Sequence, residues 1–197
     1  MTKTTQRQIQ KEQTRKMILQ IAMKQYAKNG IMATRTVDIA KAAEVSHGTV
    51  FSHFATQEDL LNTVIEEFGM TVSQRLHELA SANMDLKAVL ESHLAGLMEF
   101  EDFYTRLVIE GRLLPQSARN TLAIIQSSIS FHMSQAAELA MDKGSIEQYP
   151  IHMLFNTWIG LLHYYLSNGD LFAPGESVLR RYGQEILDHY MKLILRR

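Results

Sequence analysis

The chain contains no cysteine. That removes disulfide frameworks, thiolate metal sites and cysteine nucleophiles together, and agrees with a reducing compartment. Proline is scarce, with three in 197 residues; Pro115, Pro150 and Pro174 each stand among turn-forming residues where a helix has to end. No apolar run approaches the ~20 residues that span a bilayer, and the opening stretch MTKTTQRQIQKEQTRK is polar where a secretory signal carries an apolar core. The expected location is the cytoplasm, with no membrane partner. A general excess of positive charge is missing too, since the net charge is -1.

That average conceals an asymmetry. Residues 1–57 hold nine basic groups against three acidic ones, a net of +6, which leaves -7 on the remaining 140 residues. A basic first quarter joined to an acidic remainder is the pattern of a nucleic-acid module followed by something else.

The hydrophobic periodicity is helical throughout. Over 14–29, Ile18, Ile21, Ala22 and Tyr26 recur at helical spacing, and Asn29-Gly30 supplies the pair that tolerates a left-handed C-terminal turn. Thr36 then stands where an N-cap belongs, with Asp38 in the first turn and Ile39, Ala40 and Ala43 as a short apolar stripe. Glu44, Val45 and Ser46 form a three-residue turn, and Ser46 caps a third short helix whose Val50 and Phe54 share one face. Two short helices across such a turn make a helix-turn-helix. A fourth helix is predicted from near Thr56, with Leu60, Leu61, Val64 and Phe68 inward, and further helices near 87–110, 117–142, 149–168 and 176–195.

The fold class read from this pattern is all-α. An N-terminal three-helix helix-turn-helix domain (residues 1–57, including a basic arm) joins a larger helical bundle (58–197), about nine helices in all. The helix over 151–166 carries Leu154, Phe155, Trp158, Ile159, Leu161, Leu162 and Tyr165 on nearly all sides, the mark of burial all round. In the last helix Leu179, Tyr182, Ile186, Tyr190 and Leu193 form a seam suited to a partner helix. Core packing within one chain explains that seam equally well.

If Val50 and Phe54 point inward, His47, Gly48, Thr49, Phe51, Ser52 and His53 lie on or near the outer surface of the third helix, polar but without formal charge. Histidine and threonine can bond base edges or phosphate oxygens, and an aromatic ring can touch sugars and thymine methyls. Gly48 lets the backbone at the helix start approach a duplex, where free N–H groups favour a phosphate. The alternative is an ordinary surface helix with a satisfied histidine and a partly buried phenylalanine.

The stretch TRKMILQIAMKQYAKNGIMATRTVDIAKAAEVSHGTVFSHFATQEDLL, residues 14–61, resembles the TetR family of one-component transcriptional repressors. The matching elements are Thr36, Ile39-Ala40, Val45-Ser46, Gly48-Thr49, Phe51 and His53-Phe54. The resemblance implies a double-stranded DNA operator as partner. Thr36 would touch a phosphate at a helix N-terminus, Ser46, His47, Gly48 and Thr49 would enter or flank the major groove, and Phe51 and His53 would meet the sugar-phosphate backbone. Three positions depart from the family pattern. Glu44 stands where glycine is common in the turn, Phe51 where tyrosine is frequent, and Gln57 where a lysine often opens the fourth helix. The last two predict fewer phosphate contacts, which Lys11 and Arg15 can offset.

The resemblance further implies that the remainder binds a small-molecule effector and forms a homodimer through its last two helices, presenting two recognition helices to a pseudo-palindrome. Some family members respond to no small molecule, so a regulator without an inducer stays open. Candidate ligand-wall residues are Met98, Phe103, Tyr104, Phe131, Phe155 and Trp158, with His93, Arg106, Asn156 and His163 as polar groups able to orient a ligand. They point to an apolar or aromatic effector, although each is also an ordinary core residue type. Catalysis finds little support. Glu-x-x-His occurs once, at Glu44 to His47 across the turn, no two histidines lie three or four apart, and no nucleophile elbow or phosphate-binding glycine loop is present. The expectation is no enzyme, no metal and no cofactor. A helical interaction protein that does not discriminate DNA sequences is the third class.

Overall fold

The computed structural model describes residues 5–80 and 85–196. Among them are ten helices and no strand, only an isolated antiparallel bridge between Ile146 and Leu195.

α1 (Gln6–Asn29) starts two turns before the periodicity does. Thr5 and Gln8 form a capping box, the Thr5 hydroxyl accepting from Gln8 N–H and the Gln8 side chain accepting from Thr5 N–H at 2.7 Å, so the polar first turns hold by capping rather than burial. Gly30 ends the helix at φ 94°. α2 (Thr36–Ala42) differs from expectation in its cap: Thr36 is its first helical residue, Arg35 is the N-cap, and the Asp38 carboxylate accepts from Arg35 N–H at 3.2 Å. α3 (His47–His53) is capped by Ser46, whose Oγ accepts from Thr49 N–H at 3.0 Å.

α4 (Gln57–Ala80) is the long central helix, burying Leu60, Leu61, Val64, Ile65, Phe68 and Val72 against α1, α5 and α7. Gly69 lets α7 approach: a Cβ there would lie 2.3 Å from Ile125 Cδ1.

The single helix expected over 87–110 breaks into α5 (Leu86–Glu99) and α6 (Glu101–Glu110). At the break the Phe100 ring packs edge-on against Phe68 at 5.8 Å, and Glu101 turns inward. Its carboxylate accepts from Val178 N–H (2.6 Å), Leu179 N–H (3.3 Å) and the Ser177 hydroxyl. An acid at a helix N-terminus satisfies orphan donors and complements the dipole. The break therefore serves a helix that lies far ahead in the sequence.

α7 (Gln116–Asp142) and α8 (Ile151–Ser167) follow, then the four-residue α9 (Gly169–Phe172) inside the SNGDLFAPGE loop, and α10 (Val178–Ile194). The break and α9 bring the count above nine.

Burial corrects one reading and narrows another. α8 buries one face, through Leu154, Trp158, Leu162 and Leu166, and leaves Met153, Thr157, Gly160 and Tyr164 exposed along the opposite stripe. Apolar composition all round it therefore reflects two different faces, only one of them filled by this chain. The α10 seam mostly faces its own chain: Leu179, Ile186 and Tyr190 are buried, the Tyr190 hydroxyl donates to the Leu154 carbonyl at 2.8 Å, and Leu193 lies outside on the surface. No helix among the described residues is long and apolar enough to cross a membrane.

Candidate nucleic-acid interface and the helical body behind it

Each short helix of the α2–α3 unit is held by buried aliphatic and aromatic residues, Ile39 and Ala40 from α2, Val50 from α3 and Phe54 just after it. The turn between them is closed by backbone bonds from Glu44 N–H to Lys41 O and Val45 N–H to Ala40 O. Glu44 takes φ 54°, the only non-glycine residue at positive φ among those described, a strain of order 1 kcal/mol for a side chain with a Cβ.

Two hydrogen bonds order the outward surface. The His47 ring, through Nε2, bonds the Thr36 hydroxyl at 3.1 Å, tying the first residue of α3 to the first residue of α2, and Ser46 Oγ meets Thr49 Oγ1 at 2.8 Å. His47 and Phe51 pack edge to face at 4.8 Å, with Phe51 41% exposed. A Cβ on Gly48 would meet nothing nearer than Ser46 Oγ at 3.8 Å, so that flank is open. Ser46, His47, Gly48, Thr49 and Phe51 thus form one uncharged exposed-to-half-buried surface at the N-terminal half of α3. Thr36, placed at a phosphate by the sequence resemblance, is 7% exposed and engaged by His47.

His53 is half-buried at the other end of α3, its Nδ1 sealed from solvent without a partner. Burial holds its pKa below the usual histidine value, reinforced by Lys11 and Arg15 and opposed by Glu12. It adds no positive charge at neutral pH. The charge comes from α1, where Lys11 is exposed and the Arg15 guanidinium lies over the Phe54 ring at 4.9 Å.

The candidate ligand-wall residues do not gather in one place. His93, Phe103, Tyr104 and Trp158 are fully buried. Trp158 Nε1–H donates to His93 Nδ1 at 3.0 Å, and the Tyr104 hydroxyl and His163 Nε2 share a bond of 2.8 Å. Burial pushes the His93 pKa down to about 4, with the charge of His163 adding to it, lowers that of His163 and raises that of Tyr104. Met98 and Phe103 line a broad groove of about 1190 Å³ between α1, the α5–α6 break and the start of α10. Phe131 and Asn156 are exposed, so neither forms an interior wall in this chain: Phe131 lines a surface groove with Phe155, and Asn156 lies on the uncovered side of α8.

Arg106 also departs from its expected place. Its guanidinium donates to the Ala27 and Lys28 carbonyls at 3.1 and 3.4 Å, at the end of α1, instead of facing the buried cluster. One turn on, the Glu110 carboxylate accepts from Ile31 and Met32 N–H at 3.1 and 2.8 Å. Gln57 completes the joint by donating to the Thr34 carbonyl at 3.0 Å. Glu101 and Glu110 escaped the sequence reading because their partners, mostly backbone amides, lie more than seventy residues away, and Gln57 entered it only as the replacement of a lysine.

Residues 18–64 match the family model described as bacterial regulatory proteins, tetR family. These residues are a TetR-family N-terminal domain. The chain is 35% identical over 83 residues to the HTH-type transcriptional repressor Rv3405c of Mycobacterium tuberculosis, covering 42% of this chain and 44% of the relative. It is 29% identical over 75 residues to the HTH-type transcriptional repressor KstR2 of Rhodococcus jostii, covering 38% and 37%. The aligned stretch is less than half the length of these relatives. Solved structures share the fold over nearly the whole chain. A TetR-family regulator from Agrobacterium tumefaciens superposes with a TM-score of 0.78 at 14% identity, over 94% of this chain and 100% of that one. The regulator FadR from Bacillus subtilis, in complex with stearoyl-CoA, gives 0.72 at 17%, over 89% and 97%.

Proposed function

We propose that this TetR-family protein is a transcriptional repressor that binds a pseudo-palindromic DNA operator as a homodimer and is released by a small, largely apolar effector. The observation that carries the reading is the outward surface of α3. His47, Gly48, Thr49 and Phe51 stand free of formal charge on a helix start, flanked by the cations Lys11 and Arg15. Uncharged donors, acceptors and a ring in the centre read base edges, while cations at the margin hold phosphates. Residues 1–57 are the reading head and 58–197 the effector-binding and dimerising body.

The uncovered stripe of α8 supports the dimer. Met153, Thr157, Gly160 and Tyr164 recur at spacings of four, three and four, and a Cβ on Gly160 would meet nothing within 4 Å. Small residues at the centre of a helix face permit close approach of a second helix. The exposed side of α10 is largely charged, through Arg181, Glu185 and Lys192, so α8 supplies most of the apolar contact.

Fluorescence anisotropy of the protein against its own upstream intergenic duplex and a scrambled duplex, each at two salt concentrations, tests this reading. The expected result is salt-sensitive binding that prefers the intergenic duplex and disappears in His47→Ala/Thr49→Ala. Equal binding to both duplexes, or an unaffected double variant, overturns it.

A further inference from the structure

Half of the hydrogen-bonding capacity of His93 is unused. The Trp158 indole is a donor only, so its 3.0 Å bond makes His93 Nδ1 the acceptor. A neutral imidazole with an accepting Nδ1 carries its proton on Nε2. That N–H belongs to a side chain with 0% exposure and meets no acceptor. A buried donor left unpaired costs ~1–3 kcal/mol, a cost that a bound acceptor removes.

The surroundings define what such an acceptor can be. The one titratable group that perturbs His93 is His163, itself kept toward the neutral form by burial and bonded to the Tyr104 phenol. Arg106, the cation nearest Tyr104 on α6, is turned away onto the carbonyls of α1. A carboxylate entering here would bring a charge with no cation to meet it, whereas a neutral carbonyl oxygen needs only the N–H. The open space on this side of the body is a surface groove of about 470 Å³ between α7 and α8, where Gln126 and serines stand beside Phe131 and Phe155. At Ser134 and Phe155 it meets the closely packed, apolar seam of Leu86, Leu154 and Tyr190, and the Tyr190 ring stands 5.3 Å from Trp158.

We propose that the body of this regulator takes a neutral carbonyl compound with an apolar chain, a ketone, ester or thioester, whose carbonyl oxygen accepts the hydrogen bond from His93 Nε2. Tyr104 and His163 form the polar wall beside it, and Trp158 fixes the tautomer that makes His93 a donor. The proposal names the ligand class of the effector-released repressor described above, and rests on that reading.

Trp158 is the sole tryptophan, so its fluorescence reports this site directly. The test titrates the full chain at pH 7.5 with straight-chain methyl ketones, 2-heptanone to 2-undecanone, and with carboxylates of the same chain lengths. In each sample the intergenic duplex is followed by anisotropy. At least one ketone is expected to bind about tenfold or more tightly than its matched carboxylate, because the carboxylate would bury an unpaired charge. His93→Leu is expected to weaken binding of that ketone about tenfold, the worth of one hydrogen bond to a buried group, and His93→Gln, which keeps both a donor and an acceptor, to retain it. The carbonyl carbon of ¹³C-labelled ketone bound to the unaltered protein is expected to shift downfield, a readout that does not depend on either variant folding. Carboxylates binding as tightly as ketones, an unchanged ketone affinity in a folded His93→Leu, or no downfield shift would each overturn the proposal. Loss of specific duplex binding by the ligand-free protein would instead sink the repressor reading, and leaves the tryptophan data to be judged separately.

Discussion

The reading head and the body settle their polar groups in opposite ways. Around α2 and α3 of the head, partners are close along the chain: Ser46 bonds Thr49, Thr34 bonds the Gly30 carbonyl and Thr36 bonds His47, over three, four and eleven residues. In the body, His93 meets Trp158, Tyr104 meets His163 and Glu101 meets Val178, over 65, 59 and 77 residues. A unit whose polar groups are satisfied locally can turn its remaining ones to a partner. A body stitched together over long distances stakes its stability on a few buried polar residues, each of which is costly to lose.

The contrast is sharpest at Glu101. Glu101→Ala removes the acceptor for two N–H groups and a hydroxyl at the start of α10, and the expected loss is about 4 kcal/mol in denaturant-induced unfolding. A loss below about 1 kcal/mol would show that α10 is held by apolar packing alone.

His93 gives the next largest effect, through pH. Its folded pKa of about 4 lies below the ~6.5 of an unfolded histidine, so the unfolded chain takes up the proton first. Stability from this group is complete above about pH 6.5 and is lost as pH falls toward 4, by about 3 kcal/mol in all. His53 and His163 are shifted in the same direction and add to the slope. His93→Gln should flatten the profile between those pH values, and an unchanged slope would assign the acid sensitivity elsewhere.

Substitutions in the head should leave stability nearly intact. Gly48→Ala points a methyl group into open space on a helix, so stability should hold or rise by up to about 1 kcal/mol, while duplex affinity falls about tenfold because the backbone no longer approaches. Unchanged affinity would move the DNA contact off this flank. Glu44→Gly relieves a positive φ and should stabilise by about 1 kcal/mol or less, read as a small rise in Tm.

The same contrast explains what the sequence disclosed. Helix periods, the Ser46 cap, the three-residue turn and the inward Val50 and Phe54 are local, and all were legible in ten consecutive residues or so. The start of α1 was not, since a capping box without apolar periodicity holds it. The break at Phe100 was not either, because its reason lies at Ser177 to Leu179. Arg106 looked like a ligand group because a cation among aromatics on α6 gives no sign in sequence that its partners are carbonyls 78 and 79 residues behind it. The two-faced character of α8 was hidden for a related reason: composition records that a face is apolar, not whose atoms cover it.

The grip of α6 on α1 has a mechanical consequence. Arg106 holds the last carbonyls of α1 and Glu110 the first amides beyond it, so the end of α1 is pinned from both sides by two side chains one turn apart. From that pivot α1 runs 24 residues, a rigid arm of about 36 Å at 1.5 Å per residue. A swing of only about 5° at the pivot carries the tip of the arm through about 3 Å, the span of one hydrogen bond. Lys11 rides near that tip, and Arg15 a turn behind it.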